Sequence, residues 1–323
     1  MKKGKKIALI TAGCMVLAGL ILALGGLAAV RFDITRLNTV SYQTNTYEIG
    51  EAFHNITIEG GSCDVRLYPS ENDTCRVVCT AEDDVDFTVE VGDDTLHIQR
   101  QDTKVRFLYF DIYWGETGIS VYLPRSDYES LSIRTTSGDV EVPEFFSFPS
   151  ADIQCGSGEV RLLASVGDTL SVQSQSGDIH MGNTSPAIMN VQTGSGEISI
   201  DHVKGETALQ IRSTSGDVTL ANVNGKAVDV ITSSGEVTLS NAILEGSIYL
   251  KSTSGDVALR TSDAADLYIQ TGSGSVSGTL LSEKVFLIDT SSGDVTVPHS
   301  ASGGKCEVTT QSGDIAFRFV TSE

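Results

Sequence analysis

Residues 213–220 read STSGDVTL, and versions of this short motif recur ten times between Ser137 and Asp314. Each copy contains Ser-Gly, then an acidic residue in nine of the ten, then an apolar residue that favours β-strands. Consecutive copies lie 19 or 20 residues apart. The repeated glycines are Gly138, Gly158, Gly177, Gly196, Gly216, Gly235, Gly255, Gly274, Gly293 and Gly313. Such regularity is typical of a solenoid, because each unit buries its apolar face only by stacking on the next.

The pattern around each glycine predicts a strand, a turn and a second strand. Apolar residues stand five and seven positions before the glycine and two positions after it, alternating with polar residues. The fourth position after it is also apolar, except at Gly278. A unit this short cannot hold a crossover helix, so the strands should stack in parallel. The sequence therefore predicts an all-β fold, a single-stranded parallel β-helix of about ten coils, one for each glycine. At about 4.8 Å per coil, the rod should be about 48 Å long.

When the ten repeats are aligned, each position forms a column, and two further columns concern the turn itself. A turn this tight is expected to need positive φ, which glycine adopts without steric cost. Three positions before the glycine stands Thr or Ser in nine units, which predicts a buried ladder of hydroxyl groups. Cys155 fills that position in the second unit, and we interpret it as a small substitute for Thr rather than a reactive thiol.

The N-terminus predicts a membrane anchor. Residues 1–6 are rich in lysine, and residues 7–30 are uncharged and mostly apolar, long enough to cross a bilayer of about 30 Å as a helix. The lysines should stay in the cytoplasm and the remainder should be exported, which places the C-terminal domain outside the cell membrane. A signal peptide cleaved near Ala28–Ala29 is one alternative, although its apolar part would usually be shorter. Lipid modification of Cys14 is another, although residues 11–13 form a poor lipobox.

The rest of the chain divides into three parts. Residues 31–54 are predicted to be a juxtamembrane spacer, because their polarity is mixed. Residues 55–130 contain alternating segments without the regular spacing, and we expect irregular first coils and a cap there. Residues 131–323 should form the regular solenoid. A solenoid needs atypical ends, since an open edge would pair with other chains.

One segment of the predicted cap is unusually aromatic. Residues 107–114 contain five of the 21 aromatic residues, including the single tryptophan. These aromatic residues are Phe107, Tyr109, Phe110, Tyr113 and Trp114. They could plug the N-terminal end of the core, or they could form an exposed patch that contacts a membrane or a partner.

The net charge of the chain limits the classes of partner that it can bind. Beyond residue 30 there are 18 basic and 42 acidic residues, a net charge of −24. Such a surface repels nucleic acid and anionic lipid, so no nucleic-acid partner is expected. It should attract divalent cations, cationic peptides or other positively charged components of the cell envelope.

Nine carboxylates follow the turn glycines and should line up along the rod. They form the acidic column, which comprises Asp139, Glu159, Asp178, Glu197, Asp217, Glu236, Asp256, Asp294 and Asp314. In one interpretation each carboxylate accepts N–H groups of its own turn. In the other, the column binds Ca²⁺ or a cationic ligand. One carboxylate per coil is a poor match for Ca²⁺, which prefers six to eight oxygens.

The cysteines do not form an obvious disulfide framework. Cys155 and Cys306 lie eight units apart, which would separate them by about 38 Å, too far for a disulfide. Cys63, Cys75 and Cys79 share the register of inward-facing residues. They are expected to be buried free thiols, or Cys63 could pair with Cys75 or Cys79.

A search for catalytic chemistry is negative. The five histidines show no spacing typical of metal ligands or of a general base, and there is no CxxC pair, P-loop or HExxH motif. The glycine spacing also leaves no room for the long loops from which β-helix polysaccharide enzymes build a cleft. We therefore predict no catalytic residues, no metal site and no cofactor.

The repeats, such as that at residues 213–220, resemble a bacterial β-strand-repeat family of unknown function called "putative adhesin", which is common in Gram-positive bacteria. The resemblance covers roughly residues 50–320. It implies a β-helix outside the membrane, and some relatives belong to systems that respond to envelope stress caused by membrane-active peptides. The family has no established catalytic residues.

Three functional hypotheses follow. The first is a membrane-anchored, acidic β-solenoid outside the cell membrane that senses or protects against envelope stress by binding. The alternative is a structural or adhesive stalk that binds a polymer or a protein. A remote alternative is an enzyme acting on envelope polysaccharide.

Overall fold

The computed structural model describes residues 11–13, 15–21, 25, 41–102 and 117–320. In the last two ranges, strands join in one continuous sheet that winds into a parallel β-solenoid of about nine turns. The strands are β1 (Tyr42–Ile49), β2 (Asn55–Gly61), β3 (Asp64–Pro69), β4 (Cys75–Glu82), β5 (Val85–Gly92), β6 (Thr95–Asp102), β7 (Gly118–Leu123), β8 (Ser130–Thr135), β9 (Val140–Val142), β10 (Ser147–Cys155), β11 (Val160–Leu162), β12 (Ser165–Ser174), β13 (Ile179–Thr184), β14 (Ile188–Thr193), β15 (Ile198–Ser213), β16 (Val218–Ile231), β17 (Val237–Ser240), β18 (Ile243–Leu244), β19 (Ser247–Lys251), β20 (Val257–Ser262), β21 (Asp266–Thr271), β22 (Val276–Leu280), β23 (Lys284–Thr290), β24 (Val295–Thr296), β25 (Gly304–Thr310) and β26 (Ile315–Phe319).

The register of the strands follows the repeat, which confirms the predicted all-β parallel solenoid. Val172 in β12 lies opposite Val191 in β14, and Val191 lies opposite Ile211 in β15. These three side chains are fully buried. The inward-facing residues join into one core that runs from Phe53 to Phe317. Each buried valine or isoleucine contributes about 1.5–3 kcal/mol relative to exposure, which holds neighbouring coils together.

Eight of the ten turn glycines are required for a different reason than the sequence predicts. Gly293 and Gly313 have the predicted positive φ, of 134° and 158°. The eight from Gly138 to Gly274 do not have φ in the left-handed region. Instead, each lies against the backbone of the coil before it. A Cβ atom on Gly196 would lie 2.0 Å from the carbonyl oxygen of Gly177, and one on Gly216 would lie 1.7 Å from that of Gly196. Glycine is needed because the coils approach too closely for any side chain.

A second column adopts the left-handed conformation that was expected of the turn glycines. Six positions after five successive turn glycines stand non-glycine residues with φ between 52° and 57°. They are Asn183, His202, Asn222, Asn241 and Thr261. Asparagine tolerates this conformation better than most residues, since its short polar side chain can hydrogen-bond locally. In these five repeats, the left-handed bend therefore lies six residues after the turn glycine, beyond the apolar residues of the strand that follows the turn.

The last coil in the sequence is not the last coil in the stack. β25 pairs with β21 along one edge and with β23 along the other. Correspondingly, β26 pairs with β22 and β24. Residues 304–319 therefore lie between residues 266–280 and residues 284–296. The prediction of one coil per glycine in sequence order is wrong here, because the chain climbs two levels after Leu280 and then returns to fill the gap.

Side-chain packing explains this order. Gly278 lies directly opposite Phe317, and a Cβ on Gly278 would lie 2.3 Å from the Phe317 ring. The ring thus occupies the space that the missing side chain leaves. The Phe317 ring centroid is also 5.3 Å from that of Phe286, which lies in the coil on the other side. Gly278 therefore departs from the apolar pattern of the repeat because the large Phe317 side chain, two units later in the sequence, occupies that space.

A buried ion pair stabilises the connection between β22 and β23, where the chain passes over one level of the stack. The Lys284 side chain is 3% exposed, and its Nζ lies 2.6 Å from Asp263 Oδ1. The same Nζ donates a hydrogen bond of 2.6 Å to Ser282 Oγ. A buried ammonium group needs such partners, since an unpaired buried charge is strongly destabilising.

The N-terminal end shows the same departure from sequence order. β2 lies between β6 and β8, and β3 lies between β7 and β9. The first coil in the sequence is thus the second in the stack. Outside it, antiparallel pairs cover the end: β5 with β6, β4 with β7, and β1 with β4. Residues 42–49, which the sequence analysis places in the spacer, form β1 and belong to this cap.

The predicted anchor and the aromatic patch fall mostly outside the described residues. Residues 11–13 and 15–21 are helical, but most of the remainder of residues 7–30 is not described. In the part of the chain that the structure describes, no helix has the length and apolar character needed to span a membrane. The patch Phe107, Tyr109, Phe110, Tyr113 and Trp114 lies outside the described residues. The anchor and the patch stay predictions.

Candidate functional site

The aspartates of the acidic column link successive coils. Asp139 Oδ1 accepts a hydrogen bond of 2.8 Å from the backbone N–H of Glu159, and Asp178 Oδ1 accepts one of 2.8 Å from that of Glu197. The same bond runs from Glu236 N–H to Asp217 and from Ser275 N–H to Asp256. Asp294 N–H donates to Asp314 and Asp139 N–H to Asp64. Each of these accepting carboxylates therefore caps the turn of a neighbouring coil, not its own turn as the first interpretation held.

The glutamates of the column alternate with the aspartates and behave differently. Glu159 accepts a hydrogen bond of 2.8 Å from Arg161, and its Oε1 lies 3.8 Å from His180 Nε2. Glu236 accepts a hydrogen bond of 3.0 Å from Thr238. The longer glutamate side chain reaches along the outer face of the sheet, while the shorter aspartate reaches the backbone above it. The column is thus partly a structural device.

The binding role of the acidic column stays a prediction. Within the described ranges, no group of three or more His, Cys, Asp or Glu side chains converges as a metal site. A rise in melting temperature on addition of millimolar Ca²⁺ would support the binding role, and an unchanged melting temperature would contradict it.

The hydroxyl column lies beside the turns, as the repeat predicts. Ser213 Oγ accepts a hydrogen bond of 2.9 Å from Gly216 N–H and donates one of 2.9 Å to the Gly216 carbonyl. Cys155 occupies the same position: its Sγ accepts from Gly158 N–H at 3.2 Å and lies 3.2 Å from the Gly158 carbonyl. The thiol therefore takes the place of a hydroxyl group in the column.

The described cysteines are buried free thiols, and Cys63 forms no disulfide with Cys75 or Cys79. They are Cys63, Cys75, Cys79, Cys155 and Cys306. Burial raises the pKa of Cys75, Cys79 and Cys306 to about 12. Since the thiolate is the reactive form, these groups are not poised as nucleophiles. Because the last coil is interleaved, Cys306 lies seven coils from Cys155 rather than eight, still about 34 Å away.

One concave site lies on the N-terminal cap. A pocket of about 360 Å³, the cap pocket, lies where β1, β3, β4 and β7 meet the loop at residues 70–74. Its principal lining residues are Glu48, Tyr68, Glu71, Asn72, Arg76 and Tyr122. This combination of aromatic rings, carboxylates, an amide and a guanidinium group can both stack on a ligand and hydrogen-bond to it.

Four of these residues form a straight row across adjacent strands. Glu48 lies opposite Arg76, Arg76 opposite Tyr122, and Tyr122 opposite Tyr68. The two tyrosine rings stack with centroids 5.1 Å apart, and the Arg76 guanidinium carbon lies 4.3 Å from the Tyr122 ring centroid. Packing on both sides fixes the Tyr122 ring, while Tyr68 remains 36% exposed. We call Glu48, Arg76, Tyr122 and Tyr68 the tyrosine row.

The sequence alone does not predict the cap pocket. The alternation within each strand indicates that Arg76 and Tyr122 face outward, but not which strands are neighbours. The row joins β1, β4, β7 and β3, whose order in the sheet differs from their order in the chain. The one usable signal was the run at residues 70–74, which is polar and separates two alternating segments.

A second, more open groove lies near the C-terminal end. It measures about 550 Å³ and runs between Arg260 and Arg318 over a floor that includes Ser277 and Gly278. Arg318 Nε donates a hydrogen bond of 2.9 Å to Thr279 Oγ1. We call it the arginine groove, and its two guanidinium groups would suit an anionic ligand.

Two histidines form ion pairs with aspartates. His54 Nδ1 lies 2.9 Å from the Asp94 carboxylate, and this hydrogen bond raises the pKa of the exposed His54 imidazole. Asp201 lies 2.9 Å from His202 Nδ1 and accepts a hydrogen bond of 2.8 Å from Asn222. Slight burial acts to raise the pKa of Asp201, but the hydrogen bonds from Asn222 and His202 outweigh it and hold that pKa below its ordinary value. Neither pair lines the cap pocket.

Comparison with known proteins identifies relatives of the fold. The Toastrack DUF4097 family matches residues 53–284 and, in a second match, residues 250–323. No curated protein matches the chain. Three crystal structures of proteins called putative adhesins are similar to it over 86% of its length. They come from Parabacteroides merdae (12% identity, 96% of that chain, TM-score 0.47), Bacteroides fragilis (15%, 97%, 0.37) and Parabacteroides distasonis (12%, 98%, 0.39).

Proposed function

This chain belongs to the Toastrack DUF4097 family, and from its geometry we propose that it is an adhesive binding domain. In this role, a rigid β-solenoid presents fixed side chains to a surface polymer or a protein. The observation that carries the proposal is the cap pocket, where a stacked tyrosine pair and ionised groups converge on the end of a continuous rod. Such a site can hold a ligand by stacking and hydrogen bonding.

The construction of the rod supports a mechanical role. Backbone ladders, the glycine contacts and the aspartate caps all join one coil to the next, so force applied at one end passes through many parallel bonds. A binding domain that bears load from an attached polymer or protein needs such stiffness.

Anchoring and location form part of the proposal. We place the cap and rod outside a bacterial cell membrane, with residues 7–30 as a single spanning helix and residues 1–6 in the cytoplasm. The lysines beside the apolar run support this orientation. Because the cap is near the N-terminus, the cap pocket would lie at the end of the rod closest to the membrane.

Sensing of envelope stress is the second candidate function. The observation in its favour is the largely exposed acidic column, interrupted at Ser275, which would attract cationic peptides. It is weaker than the adhesive proposal, because the aspartate half of the column already caps the backbone.

One set of binding measurements separates these functions. The full-length protein, purified in a sugar-free detergent, is tested against insoluble polysaccharides, envelope fractions and a cationic peptide at low and high salt. Retention on a polymer or protein that persists at high salt is expected for the adhesive function. Retention of the peptide alone, lost at high salt, would favour stress sensing. Release of soluble sugar from a polymer would indicate an enzyme and overturn both.

A further inference from the structure

We propose that the cap pocket binds one pyranose unit of a neutral or amino-sugar polysaccharide, with the sugar ring against Tyr68. This inference rests on the adhesive function and names the class of polymer and the residues that hold it. The cap pocket has the volume of a small-ligand site, near the lower end of the usual range of about 300–1,000 Å³.

The exposed tyrosine provides the apolar contact. A pyranose ring has one face of C–H groups, which packs on an aromatic ring, while its hydroxyl groups point outward around the edge. Tyr68 is 36% exposed and is held by Tyr122 behind it, 5.1 Å away between ring centroids. An aromatic side chain fixed by stacking contributes contact area at little cost in conformational entropy.

The polar side chains surround that contact. Glu48 and Glu71 offer carboxylate oxygens, which accept charge-assisted hydrogen bonds from hydroxyl or ammonium groups. Asn72 can both donate and accept. These groups line the same pocket as Tyr68, so they are available to the hydroxyl groups of a ring stacked there.

The loop that carries Glu71 and Asn72 is internally bonded. Ser70 Oγ donates a hydrogen bond of 2.9 Å to the Thr74 carbonyl and accepts one of 3.3 Å from Asn72 N–H. A loop held in this way loses less conformational freedom when a ligand binds.

Charge selects the class of sugar. The pocket has two carboxylates, Glu48 and Glu71, and one guanidinium group, that of Arg76, which lies over the Tyr122 ring. The whole chain has a net charge of −20. An acidic sugar would meet repulsion here, whereas a neutral or amino sugar would not. The arginine groove is the described site that suits an acidic sugar.

The regular solenoid offers a matched control. Tyr249 in β19 is 38% exposed and lies opposite Tyr268 in β21. Lys305 Nζ lies 5.2 Å from the Tyr268 ring centroid. This second row also has an exposed tyrosine opposite another tyrosine, with a cation near the second ring, but it is not part of the cap pocket.

The test uses the full-length protein in a sugar-free detergent and three soluble tetrasaccharides at millimolar concentrations. The probes are tetramers of N-acetylglucosamine, glucosamine and galacturonate, and binding is measured by calorimetry. We expect the first or the second to bind and galacturonate not to bind. Tyr68→Ala should weaken binding about tenfold, and Tyr249→Ala should leave it unchanged. Glu71→Gln, which keeps the shape of the side chain, should weaken binding of glucosamine more than that of N-acetylglucosamine.

Each other outcome overturns the inference. Absence of binding by all three tetramers, or equal losses in the two tyrosine variants, would rule out the cap pocket as a sugar site. Preference for galacturonate would place the ligand elsewhere, at the arginine groove. If the wild-type protein still adheres to a polymer or protein in any of these cases, the adhesive function stands and only its assigned site fails.

Discussion

At the scale of single residues, the fold depends on the absence of a side chain at the turn glycines. The stacked glycines let backbones approach more closely than any side chain permits. The acidic residue that follows serves the neighbouring coil, because Oδ1 of aspartate reaches the next N–H group. Two adjacent positions of the repeat therefore act between coils.

Replacing a stacked glycine should be costly. In Gly196→Ala the added methyl would lie 2.0 Å from the Gly177 carbonyl oxygen, so the coils must separate locally. We expect a loss of about 3 kcal/mol in the free energy of unfolding, measured by chemical denaturation. Gly167→Ala is the control, because nothing lies within 4 Å of its added methyl. Equal effects of the two substitutions would contradict the close-approach argument.

Replacing an aspartate of the acidic column should also cost stability. Asp217→Ala removes the acceptor of Glu236 N–H, and we expect a loss of about 1–2 kcal/mol. Glu197→Ala keeps the backbone N–H that donates to Asp178 and should change stability by less than about 0.5 kcal/mol. The two variants remove the same charge, so similar losses would contradict a specific role for the hydrogen bond to Asp217.

The Asp201 pair predicts a pH effect at low pH. Because the pKa of Asp201 is lowered in the folded state, the pair stabilises the protein above the ordinary carboxyl pKa of 3.8. This contribution is lost as the pH falls below 3.8 and through the lowered folded-state pKa. NMR titration should show the low pKa in the wild type and a higher one in Asn222→Gly. Glycine tolerates the φ of 52° at that position, so the backbone is not strained and the losses are the hydrogen bond to Asp201 and the one that Asn222 accepts from Asn241.

At the scale of elements, both ends of the solenoid depart from sequence order. The C-terminal coil, β25 with β26, is enclosed between two other coils, and β23 with β24 lies outside it. The Phe317 ring fills the space beside Gly278, which fixes this order through packing. At the N-terminal end, antiparallel strands cover the outermost coil.

Hydrogen exchange should report the interleaved order. Amides of β25, which pairs on both edges, should exchange more slowly than amides of β23. If the coils stacked in sequence order, β25 would be the outermost strand and the rates would be reversed. Mass spectrometry of proteolytic fragments can compare residues 284–290 with residues 304–310.

At the scale of the whole molecule, the coils are interchangeable in the middle and not at the C-terminal end. A central coil contacts only its two neighbours, which offer the same register and the same turn. The last coil occupies a gap that the chain has left for it, so its removal would open the core.

Two deletions test this difference. Removing residues 197–216 joins Gly196 to Asp217 and deletes one complete repeat, so the protein should stay folded and shorten by about 4.8 Å in solution scattering. Removing residues 303–323 deletes a segment of similar length but leaves β21 and β23 without their shared partner. That variant should lose protection in both strands and aggregate. A folded rod after the second deletion would contradict the interleaved arrangement.

The sequence alone determined the parallel β-solenoid, its register, the buried hydroxyl column and the inward-facing cysteines. These properties depend on contacts between residues 19 or 20 apart, and a repeat displays such contacts directly in its spacing. Only the tertiary structure decided the order of the terminal coils, the reason for glycine at the turn and the cap pocket. Each of these depends on which strands lie side by side when neighbours in space are not neighbours in the chain. Gly278 shows the limit: its exception to the repeat is visible in the sequence, but its partner Phe317 is identified only once the last coil is in place.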